Sequence, residues 1–310
     1  MVLFTHPCCH DVRAALHLDL APGGGIAVAD VAEELADPGC QVVRLCLGGN
    51  LLRDSGAATI AEALKRNASL AALNLEGNGI GAPGATKMAE ALQDNNALLA
   101  LGLAFNRVGG EGAAETVKVG VQQLDLQGNG IGAPGATKVA RALRENHTLT
   151  ALDLGSNKIG EGKQGFGGAW ESSEFLRAVG GAAGGWRYQG TVRTWRDSGD
   201  EGARHLAEAL RVNCTLRSLT LQFNNIGERG ARAVARSLES NATLTALCLY
   251  GNRIRDGGAT ALAEALRVNA SLGEMDVGEN GIGDAGAVVL GCVLCGRQKP
   301  FALHGIDLCR

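Results

Sequence analysis

One pattern in the sequence is of a kind that elsewhere holds phosphate. Gly79-Ile80-Gly81-Ala82-Pro83-Gly84 reads GxGxxG, and in a dinucleotide-binding turn such glycines let the backbone approach a pyrophosphate at a helix N-terminus. The same spacing returns at Gly130 to Gly135 and at Gly281 to Gly286. Three matches at equivalent places in 28-residue units read as one repeated structural turn, because each unit is too short for a dinucleotide-binding strand and helix. No GxxxxGK[ST] loop accompanies them. No cofactor is expected.

The thiols and imidazoles make no better case for chemistry. His6, Cys8, Cys9 and His10 cluster near the start, but adjacent cysteines lack the spacing of a zinc knuckle. Cys292-x-x-Cys295 is a single pair on a helical run, and Cys46 and Cys248 fall at outward strand positions with nothing beside them in sequence to lower a thiol pKa. No metal site and no Ser/His/Asp or Cys/His constellation can be assembled, so the chain is expected not to be an enzyme. Asn67, Asn146, Asn213, Asn241 and Asn269 each begin N-x-[ST]. They stand at one repeated position just past a helix, which predicts a left-handed C-cap in place of a glycan acceptor.

What all these motifs share is a period. The asparagines Asn50, Asn78, Asn106, Asn129, Asn157, Asn224, Asn252 and Asn280 each close an LxxLxLxxN frame, and the eleven residues Gly77 to Lys87 recur letter for letter as Gly128 to Lys138. A fixed period of this length means stacked supersecondary units. In the unit from Leu70, Leu73 and Leu75 alternate with Ala72, Asn74 and Glu76, the period-2 pattern of a short strand. After Pro83, suited to a first helical turn, Ala85, Met88, Ala89 and Leu92 recur at helical spacing. One strand and one helix cannot bury their apolar faces alone, but stacked units share a continuous core. The ladder asparagines are predicted to be structural: a primary amide can satisfy neighbouring backbone groups that have no sheet partner.

The frame divides the chain into residues 1–41, a degenerate N-terminal capping repeat in which Leu16-His17-Leu18 aligns with Leu45-Cys46-Leu47; 42–160, regular repeats; 161–199, an insertion; and 200–310, further repeats with an incomplete last unit beginning at Leu303. The unit from Leu98 is five residues short, which predicts a shortened helix ending near Thr116. The 161–199 insertion holds all three tryptophans and several Gly-Gly pairs. It reads either as a disordered loop or as an unspliced intron, since Gly162-Lys163 is encodable by a splice-donor-like GGTAAG.

Charge and composition exclude some partners. A formal charge of -3 gives no reason to expect nucleic acid or an anionic membrane. There is no signal peptide pattern and no apolar run long enough to span a bilayer, so a cytoplasmic protein is expected. Nine cysteines, an odd number scattered over repeat positions, fit reduced thiols.

The frame LxxLxLxxNxIGxxGAxxLAEALxxNxxL, present in eight copies outside 161–199, resembles the leucine-rich repeat of the ribonuclease-inhibitor type and in wording is most similar to NLRC3-like repeat proteins. The resemblance implies an α/β solenoid, a horseshoe with inner parallel strands and outer helices. It also implies a non-enzymatic interaction module, a scaffold or regulator, whose concave strand face takes a protein partner and no small-molecule substrate. The strand face is expected to present Arg44, Asn74, Glu76, Gln123, Asp125, Gln127, Asp153, Thr220, Gln222, Glu274 and Asp276, with Phe105, Phe223 and Tyr250 at its edge. Of these, Glu76, Phe105, Asp125, Asp153, Phe223, Tyr250 and Asp276 are the candidate partner-binding residues: acids for a basic surface, aromatics as anchors. The alternative that the same repeat type implies is a GTPase-activating protein for a Ran-like small GTPase.

Overall fold

The computed structural model describes residues 15–17, 27–160, 200–296 and 301–305. The disorder and intron readings of 161–199 and the His6 to His10 cluster lie outside them.

Ten three-residue strands form one parallel sheet in chain order: β1 (Ala15–His17), β2 (Arg44–Cys46), β3 (Ala72–Asn74), β4 (Ala100–Gly102), β5 (Gln123–Asp125), β6 (Ala151–Asp153), β7 (Ser218–Thr220), β8 (Ala246–Cys248), β9 (Glu274–Asp276) and β10 (Ala302–His304). Among the described residues nine helices alternate with them: α1 (Val28–Ala36), α2 (Arg53–Leu64), α3 (Ala82–Leu92), α4 (Gly109–Val117), α5 (Gly132–Glu145), α6 (Glu201–Leu210), α7 (Glu228–Leu238), α8 (Arg255–Val268) and α9 (Asp284–Cys295). The stacking is an α/β leucine-rich-repeat solenoid. Strands pair about 4.8 Å apart while helices need about 10 Å each, so the stack curves with the sheet on its inner side.

Strands β2 to β8 are each held by a buried central leucine, and β9 by Met275. Leu73 is 2% exposed and Leu75 fully buried, while Ala72 and Asn74 face outward. The helix supplies the opposing wall: in α3, Pro83 sits in the first turn and Ala85, Met88, Ala89 and Leu92 are buried. Leu, Ala, Val, Ile and Met from every unit merge into one core between sheet and helices. The layers are thin enough that glycine is required where helices start side by side. A Cβ on Gly110 of α4 would collide with the backbone of Gly135 of α5.

The irregular units keep the register. Leu16 pairs with Leu45 and His17 with Cys46. Helix α4 has 9 residues against 14 in α5, and the deficit is taken up there, since Ala100 still pairs with Gln123. Across the insertion, Asp153 pairs with Thr220.

Candidate functional site

The ladder asparagines occupy the turns that leave each strand. Asn78 Oδ1 accepts the amides of Asn50 and Leu52 from the preceding unit, and its Nδ2 donates to the carbonyls of Leu47 and Leu75. Asn106, Asn129, Asn157, Asn224, Asn252 and Asn280 repeat this bridge between neighbouring units. All seven are buried; Asn50 is half-buried, with its amide group on Leu47 and Gly48 carbonyls.

The left-handed C-cap expected at Asn67, Asn146, Asn213, Asn241 and Asn269 is overturned. None of the five has positive φ; Asn146 and Asn269 are extended, at φ -82° and -73°. They form a second ladder at the other end of the helices. Asn269 Nδ2 donates to the carbonyls of Leu238 and Asn241 in the preceding unit, and its Oδ1 accepts the amides of Ser271 and Leu272. Asn95 does the same without a sequon, reaching Leu64, Asn67 and Leu98. The legible signal was the repeated N-x-x-L. Its cause is that the last helical carbonyls of one unit have no partner in their own helix.

Two of the three GxGxxG turns, at 79–84 and 281–286, have their amides occupied by an aspartate. Gly81 and Gly84 amides both donate to Asp54 Oδ1 on the preceding helix, at 2.7 and 3.0 Å. Asp256 takes Gly283 and Gly286 in the same way, and Asp200 takes Gly227. Each carboxylate sits where an anion would at a helix N-terminus. Asp54 and Asp256 each stand four residues after a ladder asparagine, a spacing present in the sequence but not among the candidate site residues above.

The strand face carries an open trough of about 380 Å³ along β2 to β7. Its floor is small, Ala72, Ala100, Gly102 and Ala151, and its polar walls include Arg44, Asn74, Gln123, Asp125, Asp153 and Thr220. Asp125 and Asp153 are register partners on adjacent strands. Each spends one oxygen on a backbone amide two residues on, Gln127 at 2.9 Å and Gly155 at 2.7 Å. Burial raises both carboxyls against the opposing pull of those amides, and the charge of Asp125 adds to the shift of Asp153, which is pushed up to about 6. Asp276 makes the same turn bond to Gly278.

The remaining predicted residues are placed less uniformly. Glu76, Gln127 and Gln222 lie in the turns beyond the strands, Glu76 exposed and the other two half-buried. Phe105 is half-buried and its ring covers Gly128 of the next turn. Phe223 is 53% exposed and meets Tyr250 edge to face, with centroids 5.3 Å apart. Tyr250 in turn covers Gly278. Phe105 and Phe223 both hold left-handed backbone, φ 53° and 52°, which is uncommon for bulky residues. The Cys248 thiol is raised, first by burial and then by the acids Asp276, Asp153 and Glu274, so it is a poor nucleophile. Cys292 and Cys295 are exposed on α9. No group of three metal-holding side chains occurs among the described residues. No helix among them is long and apolar enough to cross a membrane.

Parallel strands, outer helices and asparagine ladders define a leucine-rich-repeat fold. The Leucine Rich repeat family matches this chain at residues 66–89, 121–140, 145–161, 212–235, 240–263 and 268–291. Among solved structures it is similar to the leucine-rich repeat-containing protein LegL7 from Legionella pneumophila, at 18% identity and TM-score 0.50, over 86% of this chain and 73% of that one. It is also similar to actin-binding site 2 of leiomodin-1 (16%, TM-score 0.37, 70% of this chain and 91% of that one) and to the tropomodulin C-terminal domain of Caenorhabditis elegans (16%, TM-score 0.33, 35% and 67%). At these identities the likeness to LegL7 is one of fold. The comparison with curated proteins found no match.

Proposed function

We propose that this chain is a non-enzymatic interaction module of the cytoplasm, a scaffold or regulator, that receives a basic surface of a protein partner on its strand face. One observation carries the reading. Asp125 and Asp153 stand side by side in the trough, each with its one described bond going to a backbone amide, and the one cation lining that trough among the described residues is Arg44, three strands from Asp125. A half-buried pair of like charges is costly in the free protein, and a partner cation offsets that cost. Exposed Phe223 with Tyr250 adds an aromatic anchor at the rim, where Asp276 and Glu76 extend the acidic character. The resemblance to NLRC3-like repeats agrees with such a role; the Ran-type GTPase-activating reading has no residue in the described structure that favours it.

The test is affinity purification from native cells with the full chain and with Asp125→Lys/Asp153→Lys. The expected result is loss of the bound partner with unchanged far-UV circular dichroism. Undiminished capture by the charge-reversed chain overturns the assignment of this face.

A further inference from the structure

The same pair of carboxylates has a consequence for how binding is controlled, which rests on the reading of the strand face just given. β5 and β6 are adjacent and in register, so Asp125 and Asp153 project from neighbouring strands about 4.8 Å apart. The two turn amides, Gln127 and Gly155, fix one oxygen of each. Among the described residues, the charged and titratable groups on the neighbouring strands offer the pair no compensation. β4 presents only Ala100 and Gly102, and β7 presents Ser218 and Thr220. Farther along, β8 contributes the Cys248 thiol and β9 the acids Glu274 and Asp276. Arg44 on β2 is separated from the pair by β3 and β4.

We infer that at mildly acidic pH Asp125 and Asp153 hold one proton between them while the trough is empty, and that a docking lysine or arginine side chain expels it. Two carboxylates at this spacing on a half-buried floor cannot both be charged without cost, and titrate as a coupled unit. An arriving ammonium or guanidinium reverses the balance: its charge stabilises the doubly ionised pair, and its aliphatic stem lies over the alanine floor. Binding then releases a proton, and affinity rises with pH until the pair is fully ionised in the free protein. The elevated titration of Asp153, to about 6, places that range just below neutrality.

The experiment uses the full chain and an oligolysine peptide as probe. Carbon-detected NMR of the aspartate carboxyls is expected to show Asp153 titrating near 6 in the free protein, and its curve moving down when Asp125 is changed to Asn, which keeps the bond from Gln127. Calorimetry in two buffers of different ionisation enthalpy should report proton release on binding the peptide, with about a tenfold weaker affinity near pH 5 than near pH 7.5. An Asp153 curve in the ordinary carboxylate range, or one indifferent to Asp125→Asn, overturns the shared proton even if the peptide binds. A shared proton with no peptide binding at any pH instead removes the expulsion step and the basic-partner reading together.

Discussion

The Asn157 amide donates to Asn224 Oδ1 at 2.9 Å, although 67 positions separate the two residues in the chain. Every other consecutive ladder pair is 28 or 23 residues apart. The Ile159 amide meets the same oxygen at 3.2 Å, and Asp200 caps Gly227 as Asp54 caps Gly81. The repeat thus closes over the point where the insertion leaves and returns.

We therefore propose that the frame resumes at Asp200, and that a chain joining Gly160 directly to Asp200 folds with the same ladder. Its melting temperature is expected to stay within a few degrees of the full chain's. A collapse of cooperative unfolding on deletion would show that residues 161–199 are part of the stack.

Asn129 is 2% exposed, donates to Leu103 and Gln127 carbonyls and accepts the Val108 amide. Replacing it by Ala leaves buried backbone groups unpaired in two units. Urea denaturation should show a loss of about 2–4 kcal/mol. An unchanged midpoint would mean that water replaces the amide at no cost.

Asn269→Gly separates the two accounts of the second ladder. A left-handed C-cap accepts glycine with little loss; a side chain bridging Leu238, Asn241 and Leu272 does not. The expected result is a destabilisation of about 2 kcal/mol or more in thermal unfolding.

Asp256→Ala removes the acceptor for the amides of Gly283 and Gly286. A loss of about 1 kcal/mol is expected, as for other helix N-terminal caps. Amide exchange at those two glycines, faster in the variant and unchanged at Gly227, locates the effect.

Asp153 is protonated in the fold up to about pH 6 and in the unfolded chain only to about pH 4. Between those values the folded state binds more protons, so stability falls as pH rises through the window, and the penalty is complete above it. Asp153→Asn keeps an acceptor for Gly155 and should exceed the native chain in stability at neutral pH, by on the order of 1–3 kcal/mol. The difference should vanish near pH 4, as read by denaturation at both pH values. A variant no more stable at pH 7 would show that Asp153 is hydrated in the trough.

The period alone determined the architecture. Leucine alternation can bury only one strand face, helical spacing of alanines requires an outer wall, and 28 residues leave room for nothing else. The asparagine ladder was legible for the same reason, because its position is set by the end of each strand. What the sequence by itself left open was which unit supplies each partner. Asn67 and Asn269 read locally as caps, yet they bridge carbonyls about 30 residues away; Asp54 and Asp256 stand in the first turns of their own helices, yet they serve the next helix. Likewise Asp125 and Asp153 are 28 positions apart in sequence, and only pairing of β5 with β6 makes them one electrostatic unit. Repetition specifies what each unit is, while contacts between units, and the pKa shifts and shared burial that follow, exist only once the stack has formed.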